Sequence, residues 1–206
     1  MKINCITLTD FYSNCYFLES ENAAVVIDPG EYDIRVCDFL NRNSDKERMI
    51  LLTHGHTDHI GGADMLRAST GTQIAVHLND APMLCDGRLN LSSVFCTGIA
   101  PFCADILLSD GQVLNIGDLT VKVILTSGHT KGSVCYDING ALFTGDTLFA
   151  LSYGRTDFPG GDISELVKSC VKIFNLFGDS TVIYPGHNEP TDIGCEKKGN
   201  PILRYL

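Results

Sequence analysis

Apolar positions along the chain fall into short runs and longer helical repeats that alternate. Ala23 to Ile27 reads as a buried strand that leaves through Asp28-Pro29-Gly30, a strong turn signal. Met49 to Leu52 and Thr181 to Tyr184 read the same way, and Thr72 to Val76 and Leu119 to Leu125 are further strand candidates. Tyr136-Asp137-Ile138 and Ala141-Leu142-Phe143 flank Asn139-Gly140, the pair that a type I′ hairpin turn favours. Ile34 to Leu40 predicts a short helix, and Ile60 to Leu66 another despite Gly61-Gly62 at its start. The clearest helix runs from Ile163 to Phe177, where Ile163, Leu166, Val167, Cys170, Val171 and Phe174 recur at helical spacing. Asp162 and Glu165 give it a start of the capping-box kind. No linker, repeat or low-complexity tract divides the chain, so the pattern predicts mixed α and β structure with helices layered over sheet.

Composition narrows what such a fold could serve. At 206 residues the default is one domain over 1–206, large enough to bury a real core. A hydrophobic share of 44% with 19% charged residues is ordinary for a globular protein. The net charge of −10 argues against a surface that tracks nucleic acid phosphates, which needs a basic face. There is no basic start followed by an apolar stretch, and no run as long as a membrane span, so neither export nor a membrane is expected. The nine cysteines are odd in number, scattered and free of any C-x-x-C pair. That usage predicts a reducing cytoplasm, with most thiols buried as small core residues.

The candidate chemistry begins at His54-Gly55-His56-Thr57-Asp58-His59, directly after the apolar run Met49-Ile50-Leu51-Leu52. Three of the six histidines crowd into this one loop, together with a carboxylate. Buried without a metal, each ring nitrogen and carboxylate oxygen would need its own partner. Imidazole and carboxylate together suit zinc, iron or manganese. Three more ligand types stand in glycine-containing turns beyond strand ends: His129 in Ser127-Gly128-His129-Thr130, Asp146 in Thr144-Gly145-Asp146-Thr147, and His187 in Tyr184-Pro185-Gly186-His187. Loops on one rigid sheet edge can converge, and this placement predicts that these do. His77 lies outside the pattern and is expected not to ligate.

The series His54-x-His56-x-Asp58-His59, His129, Asp146 and His187 resembles the metallo-β-lactamase superfamily over nearly the whole chain. The resemblance implies a four-layer αβ/βα sandwich of the α/β class, with a metal site at one edge of its two sheets. It also implies that His54, His56 and His129 hold a first metal, that Asp58, His59 and His187 hold a second, and that Asp146 bridges them. Two divalent ions so placed lower the pKa of a bridging water and generate hydroxide near neutral pH. Asp58 is expected to bind metal, orient that nucleophile and take its proton. Asp28 is a possible hydrogen-bond support for a ligand, although its turn explains it equally well.

Departures within the superfamily sharpen the expectation. The commonest β-lactamases place a cysteine where Asp146 stands, and flavodiiron proteins a glutamate where His56 stands, so antibiotic hydrolysis and di-iron oxygen chemistry rank lower. Asp146 and the full second set are similar to glyoxalase II and its small relatives. Tyr153-Gly154-Arg155-Thr156-Asp157-Phe158-Pro159-Gly160-Gly161-Asp162 resembles their post-aspartate loop, and Asn200-Pro201-Ile202-Leu203-Arg204 their closing segment. Tyr153 and Arg155 are the substrate-contact candidates, with an ion pair from Arg155 to Asp157 or Asp162 as the alternative. The chain is too short for the helical glutathione-binding domain of full-length glyoxalase II, and Lys197, Lys198 and Arg204 are its only late basic residues. Solvation is the expectation for both lysines.

The resemblance therefore implies a dinuclear hydrolase acting on a small-molecule thioester such as S-lactoylglutathione, most simply with two zinc ions, iron or manganese being alternatives. A mononuclear-iron persulfide dioxygenase is the rival, because those enzymes share the histidine loop and a stretch like Gly154 to Phe158. A nuclease ranks lower on charge. Met83 to Ala104 carries few regular signals and is expected either to wall the substrate pocket or to meet a partner subunit; oligomeric state is left open.

Overall fold

The structure is a computed structural model and describes residues 1–205. Its first sheet contains β1 (Lys2–Leu8), β2 (Ser13–Glu19), β3 (Ala23–Ile27), β4 (Glu47–Leu51), β5 (Gln73–His77) and β6 (Ile106–Leu108), in that spatial order. β1, β2 and β3 are antiparallel neighbours, whereas β3 to β6 run parallel. Between the parallel strands lie α1 (Ile34–Arg42), α2 (Thr57–Ile60), α3 (Ala63–Thr70), a 3₁₀ turn Ala81–Cys85 and α4 (Ser92–Phe95). The second sheet has β7 (Val113–Ile116), β8 (Leu119–Leu125), β9 (Val134–Ile138), β10 (Ala141–Gly145), β13 (Val182–Pro185) and β14 (Thr191–Asp192), in the order β14-β13-β10-β9-β8-β7. A small hairpin of β11 (Leu148–Phe149) and β12 (Ser152–Tyr153) precedes α5 (Ile163–Leu176), and α6 (Ile193–Gly199) with a 3₁₀ turn Pro201–Tyr205 closes the described chain.

Strand periodicity sorts the core into three layers. In β3, Ala23, Val25 and Ile27 face the space between the sheets, while Ala24 and Val26 face the helices. The inter-sheet core adds Tyr16, Leu18 and Leu51 from one sheet and Val121, Val123, Val134, Tyr136, Ile138 and Phe143 from the other. Val36, Phe39, Leu40 and Leu66 cover the outer face of the first sheet, and Leu166, Cys170, Ile173 and Phe174 cover that of the second. The layers are helix, sheet, sheet, helix, the expected αβ/βα sandwich. Asp162 caps α5 by accepting from Ser164 N and Glu165 N, and Asn139 and Gly140 both take positive φ in the β9–β10 turn.

Three expectations are corrected, and one hairpin had not been expected. The helix over Ile60 to Leu66 is broken into α2 and α3 at Gly61-Gly62. The hairpin β1–β2 has no counterpart among the expected strands, because Ser13 and Asn14 interrupt its apolar pattern although both are buried. Five of the nine thiols, Cys5, Cys85, Cys96, Cys103 and Cys195, are exposed rather than buried. Lys197 is half-buried and donates to Phe177 O at 3.2 Å and Asp179 Oδ1 at 2.9 Å, so only Lys198 of the pair is simply solvated. No described helix is long and apolar enough to cross a membrane.

Candidate metal centre

Every ligand-type residue singled out from the sequence stands just beyond a strand end at one edge of the sandwich. β4 delivers His54, His56, Asp58 and His59, β8 delivers His129, β10 delivers Asp146 and β13 delivers His187. The parallel pairs β3–β4 and β10–β13 bring these ends to the same edge. The two sheets are sewn together there: Asn14 N donates to Gly186 O at 2.7 Å, Val134 N to Thr53 O at 2.9 Å, and the Tyr136 hydroxyl to Leu52 O at 2.7 Å. Close approach also demands glycine. A Cβ on Gly186 would fall on Asp146 Oδ1, and one on Gly30 would fall on the Asp58 carbonyl oxygen.

Hydrogen bonds at the back of four imidazoles fix which nitrogen faces the centre. Thr53 Oγ1 donates to Asp28 Oδ2 at 2.6 Å, which leaves it to accept from His54 Nδ1 at 3.1 Å. His59 Nδ1 donates to Asp28 Oδ2 at 3.0 Å, His129 Nδ1 to Arg155 O at 2.7 Å, and His187 Nδ1 to Tyr12 O at 3.2 Å. In each ring the Nε2 lone pair is thereby turned to the common centre. His56 differs, for its Nδ1 faces His129 Nε2 at 2.8 Å. Imidazole nitrogens this close need a shared proton or a shared cation.

The side chains gather into two triads, His54 with His56 and His129, and Asp58 with His59 and His187. Asp146 stands between them, 3.5 Å from His129 Nε2 and from His187 Nε2, and 3.4 Å from His59 Nε2. His59 Nε2 and His187 Nε2 lie 3.6 and 3.4 Å from Asp58 Oδ2. His54 Nε2 and Asp146 Oδ1, both turned to this centre, are buried without a hydrogen-bond partner, which is costly unless an ion satisfies them; His56 reaches the centre through Nδ1 instead. The donor set therefore fits a pair of divalent ions sharing one carboxylate. A third grouping, Asp28 with His54 and His59, is also close, but Asp28 already accepts from Thr53 N, Thr53 Oγ1 and His59 Nδ1 and so acts as a support.

Asp80 is a support that the sequence reading missed. It is fully buried and accepts from Gly55 N at 3.0 Å, Thr130 Oγ1 at 2.6 Å and Gly132 N at 2.7 Å, tying the His54–His56 loop to the His129 loop. Its one legible signal is position, shortly beyond the end of β5. His77 is buried and lies outside both triads.

The centre opens into a cavity of about 190 Å³ whose lining includes His56, Asp58, His129, Asp146 and His187. Phe11, Leu91, Phe95 and Phe158 form its apolar wall, so the Met83 to Ala104 region does wall the pocket. Phe11 and Phe95 meet edge to face at 4.9 Å. Arg155 borders the same cavity, yet its guanidinium bonds both Asp157 oxygens at 2.6 Å and stacks over Phe158 at 3.9 Å. Tyr153, the other substrate candidate, is placed away from the cavity lining, with its ring 6.4 Å from that of Tyr205 and packed on the α5 core.

The sequence model of the metallo-beta-lactamase superfamily matches residues 8–187. The chain belongs to the metallo-β-lactamase superfamily. Among its relatives in that superfamily are an uncharacterized protein of Mycobacterium tuberculosis, 37% identical over 94% of this chain and 93% of that one, and the probable metallo-hydrolase YqgX of Bacillus subtilis. YqgX and the hydroxyacylglutathione hydrolase GloC of Haemophilus influenzae are each 32% identical, over 98% of both chains. Solved superfamily structures agree. The B3 metallo-β-lactamase BLEG-1 matches with a TM-score of 0.88 and 36% identity, over 98% of this chain and 99% of that one. TTHA1623, solved in a di-iron-bound form, matches at 0.84 and 29%, over 97% and 100%. ETHE1 from Myxococcus xanthus matches at 0.78 and 28%, over 98% and 84%. The histidine-rich centre is that of a metallo-hydrolase of this superfamily.

Proposed function

We propose that the protein is a thioester hydrolase of the glyoxalase II kind, working with two divalent ions, zinc first among them, on a small soluble thioester such as S-lactoylglutathione. The observation that carries this reading is the sharing of Asp146 between two complete triads, open to one small cavity. Its likeness to the hydroxyacylglutathione hydrolase GloC over 98% of both chains supports the choice of substrate class.

His54, His56 and His129 would hold one ion, Asp58, His59 and His187 the other, and Asp146 both. When bound, such ions supply a water of lowered pKa and stabilise negative charge developing on a carbonyl oxygen. The residues of the chain provide everything else. Asp58, with Oδ2 turned to His59 and His187, orients the attacking water and takes its proton at Oδ1. Asp28 keeps Nδ1 of His59 protonated, and Asp80 holds the loops of the histidine triad together. Phe11, Phe95 and Phe158 exclude bulk water from the acyl group. Because Arg155 is engaged by Asp157, the thiol carrier is held by shape rather than by a free cation.

The deciding experiment is hydrolysis of S-lactoylglutathione by protein loaded in turn with zinc, manganese and ferrous iron. Release of thiol at enzymic rates is the expected result. Oxygen consumption on glutathione persulfide by the iron form, without thioester turnover, would replace hydrolysis with persulfide oxidation.

A further inference from the structure

All nine cysteines are free thiols, yet two of them stand as a pair. Cys85 ends the 3₁₀ turn after β5 and Cys103 precedes β6, 18 residues further on; their sulfurs lie 3.8 Å apart and both residues are exposed. No other pair of sulfurs makes such a contact among the described residues.

The approach is fixed from beneath. Phe102 N donates to Leu84 O at 3.2 Å, Cys85 Sγ to Phe102 O at 3.0 Å and Arg67 Nη1 to Cys103 O at 2.7 Å. Leu84 and Phe102 are buried in the helix-side core, and Arg67 is itself tied to Asp64 and Asp105. Folding has therefore already brought the two chain segments together. The sulfurs stand roughly 1.8 Å from bonded distance, within reach of side-chain rotation.

We propose that Cys85 and Cys103 form a thiol–disulfide exchange site that takes a low-molecular-weight disulfide, and that the bond they make staples the segment walling the catalytic cavity. One cysteine, as thiolate, attacks the small disulfide; a mixed disulfide forms and one small thiolate leaves. The second cysteine, as thiolate, attacks the protein sulfur of that mixed disulfide, and the other small thiolate leaves. Two protein thiols are oxidised by two electrons, the small disulfide is reduced to two thiols, and the two cysteine protons pass to them. The closed segment carries Leu91 and Phe95 to the cavity, and its tip holds Leu91 and Cys96 at φ values of 69° and 54°, in the left-handed region. The site stands whatever reaction the metal centre performs.

Glutathione disulfide is the probe. The full chain is incubated with it, remaining thiols are alkylated, and peptides are mapped by mass spectrometry. The expected product has lost two hydrogens, with Cys85 and Cys103 protected together in one cross-linked peptide pair and no glutathionyl group kept on either. C85S and C103S should each retain one glutathionyl group on the surviving cysteine. Amide exchange between residues 86 and 102 should slow several-fold in the oxidised wild type and not in C85S. A cross-link through Cys96, stable glutathionyl groups on both cysteines of the wild type, or no reaction at either while Cys195 reacts would overturn the proposal. A correct cross-link with unchanged amide exchange would overturn the staple.

Discussion

Behind His54, His56 and His129 stands Asp80; behind Asp58, His59 and His187 stands Asp28. Both carboxylates are buried and each accepts three hydrogen bonds, but the halves they support differ in charge. In the first half, burial pushes His54 and His56 well below the ordinary histidine value, and neighbouring imidazoles push the same way. In the second, burial also opposes charge on His59, yet Asp58, Asp146 and Asp28 outweigh it and raise its pKa to about 10. Burial would likewise raise Asp58, but His59 and His187 hold it below the ordinary carboxylate range. His54 and His56 thus offer neutral lone pairs, whereas Asp58 and His59 stand as an ion pair. A cation enters the first half by coordination alone, whereas in the second it takes the place of the His59 proton and is held by the Asp58 charge as that proton was.

The sharpest way to break this contrast is to remove the carboxylate that belongs to the second triad alone and lines the cavity. Asp58→Ala should lower turnover by about 10²–10⁴, the range of a lost general base, while circular dichroism and the thermal transition stay close to wild type. Near-normal turnover in a folded, metal-loaded variant would take Asp58 out of the mechanism.

That the seven ligand-type residues gathered at the centre were legible in the sequence, while much around them was not, has a physical cause. His54, His56, Asp58, His59, His129, Asp146 and His187 are of distinctive type and follow strand ends, so type and place singled them out, and the superfamily resemblance sorted them into two sets. Asp80 was invisible because its partners are Gly55 N, Gly132 N and one hydroxyl, and backbone donors leave no mark in a sequence. Ser13 and Asn14 hid β2 for a related reason: Asn14 Nδ2 donates across the sheet junction to Pro185 O at 3.0 Å and Asn188 O at 2.8 Å, so a polar residue is buried where the pattern asks for an apolar one. The layers themselves were legible because helix and strand periods were intact in β3, β4 and α5.

Exchanging the supports tests whether the halves are separable. Asp80→Asn should weaken metal binding about 10–100-fold at the histidine triad, and Asp28→Asn by a similar factor at the other triad. Sequential metal titration followed by calorimetry would read the two affinities. Equal loss of both ions from either variant would show that the halves act as one unit. Asp28→Asn carries the greater risk of crossover, since Thr53 also links Asp28 to His54.

Opposite charge plans also predict opposite pH behaviour in chelator-treated protein. For His54 and His56 the folded pKa lies below the unfolded value of 6.5, so below about 6.5 the unfolded chain binds protons that the folded one refuses, and stability falls with pH. For His59 the folded pKa is raised, so its contribution is full below about 6.5 and is lost as pH rises through about 10. Urea denaturation across that span should show His54→Gln blunting the acid loss and His59→Gln removing the alkaline one. A flat profile in the wild type would contradict both assignments.

The smallest effect is expected at Arg155, and it decides whether the rim of the cavity reads charge. Its side chain is largely exposed and paired with the equally exposed Asp157, so Arg155→Ala should change stability by less than about 1 kcal/mol. If the guanidinium only anchors the loop against Phe158, KM for an anionic thioester and for a neutral one should shift together and slightly. If it leaves Asp157 to meet substrate, KM for the anionic thioester alone should rise, and Asp157→Asn, which weakens its hold, should lower that same KM. The existing bidentate pair at 2.6 Å favours the anchor, because a substrate carboxylate would have to displace a partner that is already tethered.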